Sequence, residues 1–160
     1  MLIAAIFTYA IAMTLANLSI ATFGVWVSPI NAFFFIGLDL ALRDWLHIKL
    51  KMWQMGALIA STGLLTYALN PAAGMIAIAS ALSFMLAASA DWAVFTKITG
   101  SWIKRANMSN VAGAAVDSIV FPTIAFGVLM PEIIATQFVA KLAGGAMWSA
   151  LLMRTNKEMK

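Results

Sequence analysis

The chain has 160 residues, of which 63% are hydrophobic and 10% are charged, and its mean hydropathy is +0.94. Soluble domains carry about 25% charged residues, so this composition excludes a soluble enzyme and a disordered chain. A membrane β-barrel is excluded as well, because its strands alternate apolar and polar residues over segments of about ten. The sequence contains no cysteine, which rules out thiolate chemistry and thiolate metal sites. We therefore predict an all-α integral membrane protein.

Charge-free stretches and helix-stopping residues divide the chain into six predicted membrane spans. Residues 1–38 and 52–90 carry no charge, and each stretch is roughly twice the ~20 residues that cross a bilayer, so each contains a turn. Breaks are predicted at Gly24 to Pro29, Asn70-Pro71 and Met130-Pro131, alternating with charged connections at Lys49 to Lys51 and Lys97 to Arg105. The predicted spans are 2–22, 29–47, 53–70, 73–94, 108–129 and 132–153. They should form one bundle, a single transmembrane domain over residues 1–160.

The basic residues predict how the chain is oriented. Eight of the ten follow the second, fourth and sixth spans: Lys49, Lys51, Lys97, Lys104, Arg105, Arg154, Lys157 and Lys160. Because Lys and Arg stay on the cytoplasmic side, we predict that both termini are cytoplasmic. The net charge of +4 therefore does not indicate a nucleic-acid partner, which would need basic residues gathered on one surface. His47, at the end of the second span, is expected to be an interfacial residue.

Several ionisable residues lie inside the predicted spans. A rise of 1.5 Å per residue places Asp39, Asp117 and Lys141 about 13–15 Å from their span ends, near the bilayer midplane. An ionisable group at that depth costs roughly 2.5–3.5 kcal/mol, so it is retained where it pairs, faces a cavity or has a function. Helical spacing puts Ser80, Ser83 and Asp91 of the fourth span on one face. We predict a polar central site between spans two, four, five and six.

Two other interpretations remain open at this stage. Asp39 with Arg43, one helical turn apart, and Asp117 with Lys141 could be purely structural ion pairs in a scaffold subunit of a membrane complex. An intramembrane enzyme could instead hold a divalent cation at Asp39, Asp44 and Asp91. His47 is the only histidine, so the sequence offers no Ser-His or Cys-His arrangement. We expect no metal, no cofactor and no enzymatic activity.

Four stretches together resemble a known family: Pro29 to Asp44, Ser83 to Asp91, Arg105 to Phe126, and Lys141. They are similar to the queuosine precursor transporters, which belong to the putative vitamin uptake transporter group. The most specific part is the run Asn-x-x-Gly-x-x-x-Asp-Ser-x-x-Phe-x-x-Ile-Ala-Phe from Asn110 to Phe126. Asn17 in the first span adds to the resemblance, which covers most of the chain.

The resemblance implies a fold and a function. Family members import 7-cyano-7-deazaguanine or related queuosine precursors across the bacterial inner membrane. They are six-helix bundles similar in fold to the substrate-binding components of energy-coupling-factor vitamin importers. This chain is shorter than the family pattern, with almost nothing before the first span. The sequence leaves open the preferred precursor, the energy source of transport and whether the chain forms a homo-oligomer.

The chemistry of a deazaguanine ring fits the buried polar residues. The ring donates from N1 and its 2-amino group and accepts at its 6-oxo group. Asp117 and Asn110 could accept the first two bonds, while a cation or amide donates the third. An aromatic face stacked on a base is worth roughly 1–3 kcal/mol. The candidate substrate-binding residues are Asn17, Asp39, Arg43, Ser83, Asp91, Asn110, Asp117, Phe121, Gln137 and Lys141.

Overall fold

The computed structural model describes residues 2–155, apart from the side chains of Asp44, His47, Ile48 and Thr155. The described residues form six long helices and no strand, which confirms the all-α prediction. The helices are α1 (Leu2–Phe23), α2 (25–49), α3 (Met52–Leu69), α4 (Pro71–Lys97), α5 (Trp102–Phe126) and α6 (Pro131–Thr155). The interfacial role predicted for His47 and the charges of Lys157 and Lys160 lie outside the described residues.

Four helical segments are long and apolar enough to cross a membrane: Leu2–Phe23, Val25–Arg43, Pro71–Lys97 and Trp102–Phe126. The outer surface of the bundle is apolar as well. Along α1, large apolar side chains are exposed at every fourth position, at Ile3, Phe7, Ile11 and Leu15. A surface of this kind is typical of a protein in contact with lipid. The chain is a helical membrane protein.

The helices end where the sequence predicts breaks. Gly24, with φ of 81°, follows α1, and Gly127, with φ of 70°, ends α5 in the left-handed region that favours glycine. Between α3 and α4, the side-chain oxygen of Asn70 accepts a hydrogen bond from the backbone N–H of Ala72 at 3.1 Å. Pro131 begins α6. Each predicted break on this side of the bundle is confirmed.

Two helices begin earlier than predicted. Helix α2 begins with a 3₁₀ turn at Val25 instead of at residue 29. Pro29 lies in the first turn of the following α segment, Ser28–Asn31, where the N–H that proline lacks is not needed. Helix α5 begins at Trp102 instead of residue 108. Charged residues end a membrane span but do not end a helix. The Arg105 side chain donates from Nε to the Phe95 carbonyl oxygen at 3.1 Å, which satisfies an acceptor in the last turn of α4.

Helix α2 is irregular where it crosses α6. It runs through a 3₁₀ turn (Val25–Val27), an α turn (Ser28–Asn31), a π turn (Ala32–Ile36) and a regular α-helix (Gly37–Lys49). A Cβ atom placed on Gly144 of α6 would lie 2.0 Å from the Phe33 carbonyl oxygen, and one on Gly37 would lie 2.6 Å from the Gly144 carbonyl carbon. Only glycine permits so close an approach of two helices. This crossing fixes α2 against α6.

Charged side chains lie in the interior of the bundle. Asp39, Arg43, Asp91, Asp117 and Lys141 are each at most 3% exposed. They lie between apolar layers, the larger of which packs Tyr9 and Met13 of α1 against residues of α2, α3 and α4. Buried charges surrounded by an apolar exterior mark functional or structural sites in membrane proteins.

Candidate functional site

A small cavity lies between α1, α2, α4, α5 and α6. Its polar lining comes from side chains on all five helices: Asn17, Ser28, Asn31, Ser80, Asp117, Gln137 and Lys141. Phe84 and Phe121 add aromatic surface. The π turn of α2 contributes its first and last residues, Ala32 and Ile36, to the wall. The irregular part of α2 therefore borders the cavity directly, as π turns often do at functional sites.

Lys141 is the centre of the hydrogen-bond network in this cavity. Its Nζ atom lies 2.8 Å from Asp117 Oδ2, and it donates to Gln137 Oε1 at 2.9 Å and to Ser118 Oγ at 3.0 Å. An ammonium group has three donors, so each finds an acceptor. Lys141 is 1% exposed and Asp117 is 3% exposed. The pair joins α5 to α6 deep inside the bundle.

The network continues from this ion pair to two more helices. Ser83 of α4 donates a short hydrogen bond to Asp117 Oδ1, and Gln137 donates from Nε2 to Ser28 Oγ of α2. One connected chain of polar groups thus runs from α4 through α5 and α6 to α2. Because buried networks are strongest when every member is bonded, this chain stabilises one relative arrangement of four helices. We call these five side chains, Ser28, Ser83, Asp117, Gln137 and Lys141, the cavity network.

Two asparagines line the cavity on the side of α1. Asn17 donates from Nδ2 to Thr66 Oγ1 of α3 at 3.4 Å. Asn31 donates from Nδ2 to the Ala16 carbonyl oxygen at 3.1 Å and to Ser19 Oγ at 2.6 Å. Phe121 lies edge-on to Phe126, with ring centroids 6.4 Å apart. These contacts hold the amide and aromatic side chains at the cavity wall.

The cavity is closed in this structure. Its volume is about 20 Å³, which leaves room for one water molecule. Pockets that bind small molecules usually measure about 300–1,000 Å³. The polar side chains are therefore brought together without space for a heterocycle, and a ligand of that size would require the helices to separate.

A second group of buried charges lies beside the cavity. Arg43 Nη2 lies 2.5 Å from Asp39 Oδ2 on α2, and the Tyr9 side chain of α1 is next to Asp39. Asp91 of α4 interacts electrostatically with both Asp39 and Arg43. The amide of Asn110 on α5 and the side chain of Leu40, which follows Asp39 in the chain, both lie next to Gly145. We call Tyr9, Asp39, Arg43, Asp91 and Asn110 the Asp39 cluster.

Many buried polar atoms of the Asp39 cluster have no hydrogen-bond partner within the described residues. They are Asp39 Oδ1, Arg43 Nε and Nη1, Asp91 Oδ1, and both amide atoms of Asn110. Most buried polar groups in proteins are bonded. The Asp39 cluster thus differs from the cavity network, in which Lys141 uses all of its hydrogen-bond donors.

The ten predicted site residues divide between these two groups. Asn17, Asp117, Phe121, Gln137 and Lys141 line the cavity, and Ser83 bonds to Asp117. Asp39, Arg43, Asp91 and Asn110 do not line it. Both ion pairs of the structural interpretation, Asp39 with Arg43 and Asp117 with Lys141, are formed.

Sequence reasoning did not select Ser28, Asn31 or Phe84, all of which line the cavity. Ser28 and Asn31 are polar residues three positions apart at the start of an apolar span, a spacing that places them on one helical face. That signal was available in the sequence. Phe84 resembled the many apolar residues of its span, and no local pattern distinguished it.

The proposed cation site of an intramembrane enzyme has no support in the described part of the chain. The described residues contain no group of three His, Cys, Asp or Glu side chains arranged to hold a metal ion. The side chain of Asp44, one of the three expected ligands, lies outside the described residues.

The chain matches a known protein family. The model of a family described as putative vitamin uptake transporter matches residues 2–153, nearly the whole chain. No curated protein and no solved structure matches the chain.

Proposed function

Since the chain belongs to the putative vitamin uptake transporter family, we propose that this membrane transporter imports a queuosine precursor, 7-cyano-7-deazaguanine or a related deazapurine. The observation that carries the proposal is the Asp117–Lys141 pair in the cavity wall beside Phe121. The resemblance of the run from Asn110 to Phe126 to queuosine precursor transporters supports the choice of substrate.

The hydrogen-bonding edge of a deazaguanine complements the two partners of this ion pair. Its N1–H and 2-amino groups present two donors to Asp117, in place of the donors from Lys141 and Ser83. Its 6-oxo group accepts from Lys141 or from Gln137. A ligand inserted between Asp117 and Lys141 with its 6-oxo group toward Lys141 therefore gives each member of the pair a new partner, and Phe121 offers a ring for stacking.

Binding requires the closed cavity to open. Because every donor of Lys141 is already bonded within the protein, the substrate competes with the cavity network for Asp117. Opening of the bundle first toward one side and then toward the other would expose the same site alternately to the two sides of the membrane. Binding sites near the midplane and alternating access of this kind are general properties of secondary transporters.

We also propose that all six helices cross the bacterial inner membrane, with both termini in the cytoplasm. Helix α6 contains the polar residues Glu132, Gln137 and Lys141, which lower its hydropathy. Gln137 and Lys141 are 1% exposed and face the bundle interior, so they do not oppose insertion next to lipid. The Lys and Arg residues on one side of the bundle support the orientation.

Binding of 7-cyano-7-deazaguanine to the purified protein in detergent tests the substrate. We expect the wild-type protein to bind it and to release it chemically unchanged, and we expect Asp117→Asn to reduce the affinity at least tenfold. Glu132→Gln is the matched control, because it makes the same acid-to-amide change at an exposed position outside the cavity. If Asp117→Asn binds as tightly as Glu132→Gln, the proposed site is wrong.

The closed cavity and the two complete ion pairs favour one other function, that of a structural subunit stabilised by buried charges. This alternative predicts that the purified protein binds no deazapurine, and that Asp117→Asn weakens folding without affecting any uptake. Uptake of a labelled deazapurine by cells expressing the wild-type chain, lost in cells expressing Asp117→Asn at equal membrane abundance, would exclude it.

A further inference from the structure

The buried charges of the bundle do not balance. The described interior contains three carboxylates, Asp39, Asp91 and Asp117, but two basic groups, Arg43 and Lys141. Asp117 pairs with Lys141 and Asp39 pairs with Arg43. No ion pair with Asp91 is formed within the described residues, although Asp91 is 2% exposed. One negative charge is therefore left over in an environment where an unpaired charge is costly.

Buried carboxylate oxygens without a hydrogen-bond partner indicate where a compensating positive charge would bind. Asp39 Oδ1 and Asp91 Oδ1 are both buried and have no hydrogen-bond partner within the described part of the bundle. The Tyr9 hydroxyl, which is 0% exposed, lies next to Asp39. Carboxylate oxygens without donors bind an added proton readily, since a protonated carboxyl becomes a donor itself.

We propose that the Asp39 cluster binds one proton, and that this proton moves with the substrate across the membrane. The proposal rests on the transport function proposed above. It assigns the cavity network to the substrate and the Asp39 cluster to the coupling ion.

Charged and titratable groups from five helices surround this proton site. They are Tyr9 of α1, Arg43 of α2, Asp91 of α4, Asp117 of α5 and Lys141 of α6. Helix α3 contains no charged residue. The cavity pair also interacts with the cluster, since Lys141 interacts with both Asp39 and Arg43.

This electrostatic link supplies a coupling mechanism. When a substrate separates Lys141 from Asp117, the positive charge of Lys141 is no longer held by its own carboxylate. The field at Asp39 and Asp91 then changes, and with it the free energy of holding the proton. A substrate that changes proton binding is, by linkage, a substrate whose binding is changed by protons. Release of both on the same side gives symport.

Infrared spectroscopy of the purified full-length protein tests the proton site without any substrate. We expect an absorption band of a protonated carboxyl group at neutral pH. The band should be lost in Asp39→Asn and in Asp91→Asn, because either change leaves one carboxylate to balance Arg43. Glu132→Gln, at an exposed position, should keep the band. Absence of the band from the wild type, or its persistence in both Asn variants, would overturn the proposal.

Proteoliposomes containing the purified protein test the coupling. With one proton per substrate, a pH gradient of one unit, alkaline inside, should drive about tenfold accumulation of labelled 7-cyano-7-deazaguanine. A protonophore should abolish the accumulation, and an inward sodium gradient at equal pH should produce none. Asp91→Asn should show no response to the pH gradient, whereas Glu132→Gln should respond like the wild type.

The two proposals fail in different ways. If the wild-type protein binds and exchanges the deazapurine but the pH gradient has no effect, or if sodium replaces it, the proton proposal is wrong and the proposed function stands. If the protein neither binds nor exchanges a deazapurine, the proposed function is wrong, and the carboxyl band alone decides whether the Asp39 cluster holds a proton.

Discussion

The cavity network and the Asp39 cluster are neighbouring groups of buried charges that differ in how completely they are hydrogen-bonded. In the cavity network, Lys141 donates to three acceptors and both oxygens of Asp117 are engaged. In the Asp39 cluster, atoms of Asp39, Arg43, Asp91 and Asn110 have no partner within the described residues. A complete network stabilises one conformation, whereas an incomplete one gains from binding something more. The bundle thus holds one group of buried charges that is fully bonded and one whose bonding is incomplete.

Removing one member of the complete pair should have the largest effect on stability. Lys141→Met leaves Asp117 buried without its counter-charge, and breaking a buried pair in this way costs about 3–5 kcal/mol. We expect the free energy of unfolding in detergent micelles to fall by that amount. Lys104→Met, which removes an exposed lysine of α5, should leave it nearly unchanged.

A second variant shows whether charge or packing is responsible for this effect. Combining Asp117→Asn with Lys141→Met removes both charges, so much of the lost stability should return. If the double variant is as unstable as Lys141→Met alone, the loss arises from packing, and the contrast between the two groups of charges would be weaker than the geometry indicates.

Separating α2 from α6 should disturb the cavity network but not the ion pair of the Asp39 cluster. In Gly144→Ala the new Cβ atom would lie 2.0 Å from the Phe33 carbonyl oxygen, so the helices must move apart. Overpacking usually costs about 1–3 kcal/mol, and a backbone obstacle places this variant at the upper end. Gly56→Ala is the control, because its Cβ atom would have no neighbour within 4 Å.

The positions of the bonded residues explain why Gly144→Ala should disturb the cavity network but not the ion pair of the Asp39 cluster. Gln137 on α6 bonds to Ser28 on α2, so that contact lengthens when the helices separate. Asp39 and Arg43 are both on α2, and their contact does not depend on α6. Equal destabilisation by Gly144→Ala and Gly56→Ala would contradict the close crossing.

The sequence was sufficient to predict the helices and both ion pairs, because these depend on local rules. Helix breaks follow from Gly24, Asn70 and Pro131, and the cost of a buried charge requires a partner for each one. The division of the ten candidate residues between a cavity and a separate cluster could not be predicted. Depth along a helix follows from 1.5 Å per residue, but the rotation of each helix depends on its neighbours.

The irregular course of α2 was also beyond prediction. The π turn at Ala32–Ile36 and the close approach of Phe33 to Gly144 are tertiary features, in which residues more than one hundred positions apart determine the local backbone. Small residues such as Gly144 and Gly145 are suited to helix packing. Which of them meet could be seen only in three dimensions.

The smallest expected effects come from replacing one amide side chain by leucine in each of the two groups of buried charges. Gln137→Leu removes the oxygen that accepts a hydrogen bond from Lys141, and it also removes the N–H that donates to Ser28. Because it leaves buried polar partners unbonded, we expect a loss of about 1–3 kcal/mol. Asn110→Leu removes an amide whose two polar atoms have no partner within the described residues. Replacing such a group by an apolar one of similar shape should be nearly neutral in an unfolding measurement.

The opposite result, a larger loss of stability in Asn110→Leu than in Gln137→Leu, would have a clear physical meaning. If Asn110→Leu were the more destabilising variant, the amide of Asn110 would have to be bonded in the folded protein by something other than the described side chains, such as a buried water. The Asp39 cluster would then be hydrated, and a proton could reach Asp91 along water instead of residing in a dry interior. The two leucine variants therefore test whether the unbonded atoms of the Asp39 cluster are hydrated. Under the proton proposal, this hydration would determine the route by which a proton reaches the cluster.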